Sequence, residues 1–295
     1  ADYYIFVSNT QPSSCSSITS YTEGKSATIS SHKWVCGKVV NIYGAIGYSS
    51  PTEFKVDKTP PSVSVSGAPS NWQHTNAQAN VSCSDTDSGC NNSTYRFKVY
   101  SSNPGSCSEN YGDYTDNSTI SSHSWVCAAA KDNAGNIGYS SPTEFKVDEI
   151  PPSTSIQCDG SSCQDSYNKD YVRITLSASD EGGSGVETTE YCINDNNCTP
   201  SITYTGRFSI SNTEYVCYQS TDNAENEESI KCKHITINHP SPKVNISGAP
   251  SNWQHTNATA QVNCSDNCTG ADYYIFVSNT QPSSCSSITS YTEGK

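Results

Sequence analysis

Cysteine is the residue whose number and spacing in this sequence point to chemistry. The chain contains 15 cysteines, and Cys15 and Cys285 occupy the same position of a repeated segment, so one copy of the repeat carries an even number. An even set predicts a framework of disulfide bonds, which form in oxidising compartments. Zinc is the alternative for the short spacings Cys158–Cys163 and Cys264–Cys268, but zinc needs a second pair or added histidines at matching distance.

Comparison between internal copies of one module predicts which cysteines pair. Where one copy has Cys83 and Cys90, another has Ala178 and Val186, so both cysteines are absent together, as bonded partners should be. The predicted pairs are Cys83–Cys90, Cys264–Cys268, Cys107–Cys127, Cys15–Cys36, Cys198–Cys217, Cys158–Cys163 and Cys192–Cys232. Two alternatives stay open, namely Cys192–Cys198 with Cys217–Cys232, and a bond between two sheets such as Cys83–Cys127.

Asparagines in the pattern Asn-x-Ser/Thr are candidates for covalent glycan attachment. Their positions are Asn80, Asn91, Asn92, Asn117, Asn197, Asn245, Asn257, Asn263 and Asn267. Each match alone is weak in a chain rich in serine, threonine and asparagine. Together with the cysteines they indicate a secreted and glycosylated surface.

Acidic side chains near a module end are the remaining candidates for ligand binding. Asp57, Asp85 and Asp87, with the turn at residues 132–136, offer the oxygen ligands that Ca²⁺ takes, and solvated turn carboxylates are the alternative. The sequence has no Gly-x-Ser-x-Gly, no His-Glu-x-x-His and no glycine-rich phosphate loop. We therefore predict no catalytic residue, no cofactor and no metal site, and we expect the chain not to be an enzyme.

Aromatic residues recur at equivalent positions of the internal copies. Trp34 matches Trp125, and Trp72 matches Trp253. We interpret these tryptophans as packing anchors within a strand or at a module junction, with sugar stacking as the alternative. Histidines recur likewise, at His32 and His123 and at His74 and His255, which favours structural or surface roles over catalysis.

The elements that position these residues are organised by repetition. Residues 1–25 return letter for letter as residues 271–295, which defines a period of 270 residues. Identity over such a length predicts that the sequence is a window on a longer tandem array.

A shorter period lies inside the long one. The segment at residues 29–36 recurs 91 residues later at 120–127, and prolines follow each module end. Proline stiffens a chain and cannot donate to a ladder, so we interpret these stretches as short linkers. The predicted domains are residues 1–57 (the C-terminal part of a split module), 58–148, 149–238, and 239–295 (the N-terminal part of the next split module).

Apolar residues within one module alternate with a period of two. Val63 and Val65, then Ala77, Ala79 and Val81, lie between clusters of aspartate, glycine, asparagine and serine. Several short strands at such spacing predict an all-β sandwich of about 90 residues.

The order of motifs resembles the immunoglobulin-like repeats of bacterial and archaeal surface proteins. It runs Pro-Pro, Gly-Ala-Pro-x-x-Trp, Ser-Asp-x-x-Ser-Gly, Asp-Asn-Ala-Gly-Asn and a closing Val-Asp, and it is most complete in residues 58–148. Residues 41–45 depart from the fourth motif, and residues 158–163 replace the second. The resemblance implies tandem immunoglobulin-like β-sandwiches and secretion. It implies no ligand, because fold alone does not. The shorter repeat places three such modules in each period of 270 residues.

Charge and hydropathy restrict the partners. The net charge of −13 disfavours binding to nucleic acid, and no apolar run approaches the roughly 20 residues that span a bilayer, so we expect no membrane insertion. We expect an extracellular location at a microbial cell surface, with neighbouring repeats and covalent glycans as partners. The function predicted is a structural filament, and the alternative is an adhesin stalk that displays a distal binding domain.

Overall fold

The computed structural model describes most of the chain. The described residues are 1–108, 110–194, 196, 198–266, 271, 273–279, 281, 284–285 and 292–293. The chain contains two compact units. The first comprises Ala1–Thr154, Ala178–Thr189 and Gln219–Ser229, and the second comprises Ser155–Ser177, Glu190–Tyr218 and Ile230–Lys295.

Residues 1–57 form one antiparallel sheet with a short 3₁₀ helix at Cys15–Ser17. Its strands are β1 (Asp2–Ser8), β2 (Thr22–Glu23), β3 (Lys33–Val40), β4 (Ile46–Tyr48) and β5 (Thr52–Phe54). The order is β2-β1-β3-β4, and β5 pairs with β3 beside β4. β3 is therefore the central strand, and it carries Cys36 toward Cys15.

Residues 58–148 form two facing layers of strands. The strands are β6 (Ser62–Ser66), β7 (Ala77–Gln78), β8 (Asn80–Ser84), β9 (Cys90–Tyr100), β10 (Thr119–Ile120), β11 (Ser124–Asp132), β12 (Ile137–Tyr139) and β13 (Thr143–Phe145), with a 3₁₀ helix at Tyr111–Asp113. One layer contains the pairs β6-β8 and β7-β10, and the other has β11 between β9 on one side and β12 and β13 on the other. This division of the strands is that of immunoglobulin-type sandwiches.

The core of this sandwich follows from the alternation in the sequence. Val63 and Ala77 from one layer meet Phe97, Val126 and Phe145 from the other, and all five side chains are buried. Side chains of a strand point alternately to its two faces, so these residues share the inner face of their strands. The spacing of two seen in the sequence is thus the cause of the two-layer structure.

Residues 149–238 form two further sheets. Their strands are β14 (Ser153–Cys158), β15 (Ser161–Ser162), β16 (Ser166–Tyr167), β17 (Val172–Ser179), β18 (Val186–Asn194), β19 (Ile202–Thr203), β20 (Phe208–Ile210), β21 (Glu214–Asp222) and β22 (Lys231–Ile237). The sheet orders are β15-β14-β17-β20 and β16-β22-β21-β18-β19. A core that includes Val172, Ile174, Val216 and Ile235 is buried.

The last strands repeat earlier ones in register. They are β23 (Lys243–Ser247), β24 (Gln261–Asp266), β25 (Tyr274–Ile275) and β26 (Thr292–Glu293). β23 pairs with β24 through Val244↔Cys264, as β6 pairs with β8 through Val63↔Cys83. Related segments thus pair alike, and β25 pairs with β26 in the register of their identical copies β1 and β2.

The fold class predicted from the sequence is confirmed, because the chain is all-β and built from tandem immunoglobulin-like sandwiches. Among the described residues, no helix has the length and apolar character needed to cross a bilayer. The module boundaries after residues 57, 148 and 238 stay a prediction.

Two phenylalanines in the same Thr-Glu-Phe motif allow the role of core burial to be tested. Phe145 is 0% exposed and Phe54 is 41% exposed. We expect Phe145→Ala to lower the free energy of unfolding by about 3–5 kcal/mol, because it leaves a cavity between the layers. Phe54→Ala, the matched control in dilute solution, is expected to cost about 1 kcal/mol or less. Denaturant unfolding, with hydrogen exchange at β11 and β3, measures both, and equal costs would contradict the assignment of Phe145 to the core.

Candidate functional site: disulfide framework and carboxylate clusters

Six disulfide bonds join cysteines of the described residues. Four of them connect the cysteines that the internal comparison pairs, namely Cys15–Cys36, Cys83–Cys90, Cys107–Cys127 and Cys158–Cys163. Cys264 is also disulfide-bonded, and its predicted partner Cys268 lies outside the described residues. The alternative bond between sheets, Cys83–Cys127, does not form. Cys127 instead lies with Cys107 in a small cluster on the outer face of β11, opposite Val126.

The remaining pairing differs from the one predicted. The structure joins Cys192 to Cys198 and Cys217 to Cys232, which is the alternative that the sequence left open. The predicted pairs Cys192–Cys232 and Cys198–Cys217 are therefore wrong. Cys217 and Cys232 face each other directly in the antiparallel ladder of β21 and β22. Their Cα atoms are 3.9 Å apart, so the bond follows from strand register. The comparison with Cys107–Cys127 could not show this, because no counterpart of Cys232 exists in that module.

The predicted glycosylation sites lie mostly in the open. Among described residues, six of these asparagines are exposed, namely Asn80, Asn92, Asn117, Asn245, Asn257 and Asn263. Asn91 is half-buried, and its side-chain oxygen accepts hydrogen bonds from Ser93. Asn197 and Asn267 lie outside the described residues. Glycan attachment stays a prediction at every position.

Three carboxylates converge in a first cluster, formed by Asp57, Asp85 and Asp132. One oxygen from each lies within 4.8 Å of the others. Asp57 accepts from the amide of Ser88 at 3.1 Å, and Asp85 accepts from the amide of Gly89 at 2.7 Å. Asp87, a further sequence candidate, is exposed and not part of this cluster. The cluster thus ties the end of one predicted module to loops of the next.

A second cluster repeats this arrangement with Asp148, Asp180 and Asp222. Their oxygens also lie within 4.8 Å of one another. Asp148 accepts from the amide of Ser184 at 3.0 Å, and Asp180 accepts from the amide of Gly185 at 2.7 Å. Both clusters belong to the first compact unit. The recurrence shows that the geometry is encoded by the motifs, because the same residue types meet twice.

The Asp-Asn-Ala-x-Asn turn holds each cluster together, which is more than the hairpin role that the sequence suggested. The side-chain amide of Asn136 donates to Asp132 and to the backbone carbonyl of Asp57, at 2.6 and 3.2 Å. Asn226 donates in the same way to Asp222 and to the carbonyl of Asp148, both at 2.8 Å. Asn133 donates to the carbonyl of Ser88 at 2.9 Å. Each turn therefore clamps a linker and a neighbouring loop.

Hydrogen bonding sets the electrostatics of the linker carboxylates. Donors at Ser88 and at the amide of Thr59 lower the pKa of Asp57, and burial opposes them in part. Burial acts to raise the pKa of Asp148, but hydrogen bonds from Ser184 and from the amide of Ile150 outweigh it, so the net shift is downward. Both carboxylates are thereby favoured in the charged form.

A third set of positions, equivalent to those of the two aspartate clusters, shows whether the turn needs the carboxylate charge. Asn238, Asp266 and Asn41 correspond to the three aspartates of each cluster and carry a single carboxylate. Asn41 still accepts from the amides of Tyr43 and Ala45, both at 2.9 Å, so the turn itself does not need the charge. Carboxylate and amide oxygens are ligands that Ca²⁺ takes. The oxygens of the two clusters are of the type that binds such an ion. They also accept hydrogen bonds from backbone amides.

Trp72 and His74 pack on loops that follow β17 and β21. The Trp72 ring lies 4.8 Å from the His123 ring between centroids, at 60°. Nδ1 of His74 is 2.9 Å from the carbonyl oxygen of Ala224. Trp72 therefore has a packing role, as the sequence predicted for this tryptophan. Trp253, its copy, is fully exposed.

Comparison with known proteins returns similar solved structures only. No family model matches the chain. No curated protein matches it either. Among solved structures, the fibronectin(III)-like modules of Clostridium thermocellum CbhA are similar at a TM-score of 0.26 and 10% identity, over 60% of this chain and 94% of that chain. The chicken CNTN1 FN1–FN3 domains are similar at a TM-score of 0.22 and 9% identity, over 80% of this chain and 91% of that chain. TM-scores this low carry no argument about fold or function, so the assignment to immunoglobulin-like sandwiches rests on the strand pairing.

A double-mutant cycle tests the bond between Asp222 and Asn226. Where the chain has Asn41 in place of the aspartate it has Ala45 in place of the asparagine, so carboxylate and amide are lost together. We expect Asp222→Asn alone to cost about 1–3 kcal/mol, because two amide donors then face each other. The double variant Asp222→Asn with Asn226→Ala is expected to cost less than the sum of the single changes. Unfolding measured in a chelating buffer checks this, and strictly additive costs would contradict the coupling.

Acid sensitivity tests the lowered pKa of Asp148. A depressed folded-state pKa gives stability that is present above the unfolded value of about 3.9 and is lost as pH falls below it. We therefore expect the stability difference between the wild type and Asp148→Asn to be largest near neutral pH and to shrink below about pH 4. Unfolding curves at several pH values measure it. Asp116→Asn, at a side chain 87% exposed, is the control, and a difference independent of pH would count against the hydrogen-bonded carboxylate.

Proposed function

We propose that this chain is a repeat of an extracellular filament at a microbial cell surface, built from tandem immunoglobulin-like modules cross-linked internally by disulfides. The observation that carries this proposal is the recurrence of one junction geometry. Asp57, Asp85 and Asp132 meet as Asp148, Asp180 and Asp222 do, within a single compact unit. A junction that recurs applies the same operation from module to module, and an operation that does not close generates a fibre.

The composition supports an extracellular role for such a fibre. Six disulfides cross-link the described residues, and disulfides persist in oxidising surroundings. Each module is small and polar, with an apolar core too limited to tolerate much loss. Cross-links and exposed sequons suit a protein that stays folded outside the cell.

Imaging of the native material tests the proposal. An antibody raised against the folded chain is used for immunogold labelling of the source cells, and labelled material is reconstructed by electron cryomicroscopy. We expect label along the length of extended filaments, whose density shows immunoglobulin-like modules in repeating order. Antibody pre-absorbed with purified chain is the control.

Two results would speak against the filament. Label restricted to single stalks that each end in a distinct, non-repetitive head would favour the adhesin stalk. Absence of label from any extended surface structure would remove both readings. In either case the fold and the junction clusters would be unaffected.

A further inference from the structure

The sheet of residues 1–57 exposes the face that is covered in the complete module. β3 and β5 correspond to β11 and β13 through shared motifs, and the pairing Lys33↔Phe54 matches Ser124↔Phe145. Phe54 is 41% exposed, whereas Phe145 is fully buried under the layer of β6 and β8. Val39 is 38% exposed, whereas Ala130 at its position is buried. The sheet of residues 1–57 therefore has the inner face of a sandwich, and no second layer covers it among the described residues.

Among the described residues, the hairpin of β23 and β24 is a second layer without a sheet beneath it. It has the register of β6 and β8, which form the cover in the complete module. Val244 is 61% exposed, whereas Val63 at the same position is 8% exposed. A two-stranded hairpin with an open apolar face is marginally stable in water. Its chemistry therefore fits the open face of residues 1–57.

Gly138 and Gly47 are equivalent glycines that show where the covering layer approaches the sheet closely. A Cβ on Gly138 would lie 2.0 Å from the carbonyl oxygen of Pro61, so the close approach of the cover requires glycine there. Gly47 occupies the same place in the Ile-Gly-Tyr motif, yet a Cβ on it would meet nothing within 4 Å. The residue equivalent to Pro61 is Pro242, which precedes β23. Gly47 thus lacks the Cβ that would block the docking of Pro242.

A cavity lies beside His32, in the first compact unit. It has a volume of about 390 Å³, and its lining includes His32, Glu53, Ser88 and Ala134. At the equivalent place in the other junction, Trp72 packs on His123, whose Nε2 is 2.9 Å from Glu144 as that of His32 is from Glu53.

The partner of His74 completes the correspondence. The carbonyl of Ala224 receives His74 in the other junction, and Ala134 is its counterpart in the cavity wall. Trp253 and His255 are the copies of Trp72 and His74. The lining of this cavity therefore matches the residues on which Trp72 and His74 pack elsewhere in the same chain.

We infer that residues 239–266 of a second copy of this chain dock on residues 1–57 and complete the split sandwich. Val244 and Ile246 cover the apolar face, Pro242 lies against Gly47, and Trp253 enters the cavity beside His32. The inference rests on the proposed function in taking successive repeats to be joined end to end. The donor and acceptor surfaces differ, so the association is heterologous and forms open chains rather than closed dimers.

Sedimentation velocity of the full chain over a range of concentrations tests this association. We expect the average mass of the wild type to rise with concentration and to pass that of a dimer. Gly47→Ala on the acceptor and Trp253→Ala on the donor are each expected to weaken association by at least about tenfold. Neither change disturbs the isolated chain, because the first has open space and the second alters a fully exposed side chain.

Matched controls use the same substitution at neighbouring positions. Gly37→Ala lies in the same sheet, at the position where the complete module has Ala128 under its cover. Asn252→Ala precedes Trp253 and copies the exposed Asn71. Both are expected to leave association within about twofold of the wild type.

Mixing the two impaired variants gives the sharpest result. The Gly47→Ala chain retains a donor and the Trp253→Ala chain retains an acceptor, so an equimolar mixture is expected to stop at a dimer with one intact interface. A wild type that stays monomeric at every concentration would overturn the inference. Association that both variants leave unchanged, or a mixture that grows beyond the dimer, would overturn it as well.

These outcomes are separable from the fate of the proposed function. Labelled native filaments combined with a monomeric wild-type chain would leave the filament standing and remove the docking. Concentration-dependent chains that follow the predicted variants, without any labelled filament on cells, would support the docking and remove the filament.

Discussion

Covering the apolar face of a sheet is the constraint on which this structure depends. Each sheet presents alternate residues to one side, and that side must be removed from water by a second layer. In residues 58–148 the layer of β6, β7, β8 and β10 covers this face, and a buried core forms around Phe145. The same motif in residues 1–57 leaves Phe54 half in solvent. Among the described residues the two differ in the presence of a partner layer, because β5 pairs with β3 in the register in which β13 pairs with β11.

The small size of the modules explains why disulfide bonds and carboxylate clusters are also needed. A sandwich of this size buries a limited apolar area, so covalent cross-links contribute a large part of its stability; a closed loop of about 20 residues contributes roughly 3 kcal/mol. The carboxylate clusters act between elements that the core does not reach. Asn136 and Asn226 bond both to an aspartate and to a linker carbonyl, so they restrict the chain where it leaves one predicted module.

Much of this could be read from the residues, and the failures have physical causes. The period of two gave the strands and the inner-face residues, because alternation follows from strand geometry alone. The comparison of copies paired Cys83 with Cys90 and Cys107 with Cys127, as the structure does. It failed for Cys217, whose partner depends on which residue of β22 lies opposite. The convergence of Asp57, Asp85 and Asp132 was only partly anticipated, since these residues are far apart along the chain.

The sequence by itself determined the all-β class, the period of the repeat, the disulfide-rich character and the positions of the candidate sites. These properties are local or statistical, so they do not require knowledge of which segments meet. Tertiary structure alone decided the Cys217–Cys232 bond, the double role of Asn136 and Asn226, and the cavity beside His32. Each of these depends on strand register or on the approach of distant loops, and register is set by packing of whole layers rather than by neighbouring residues.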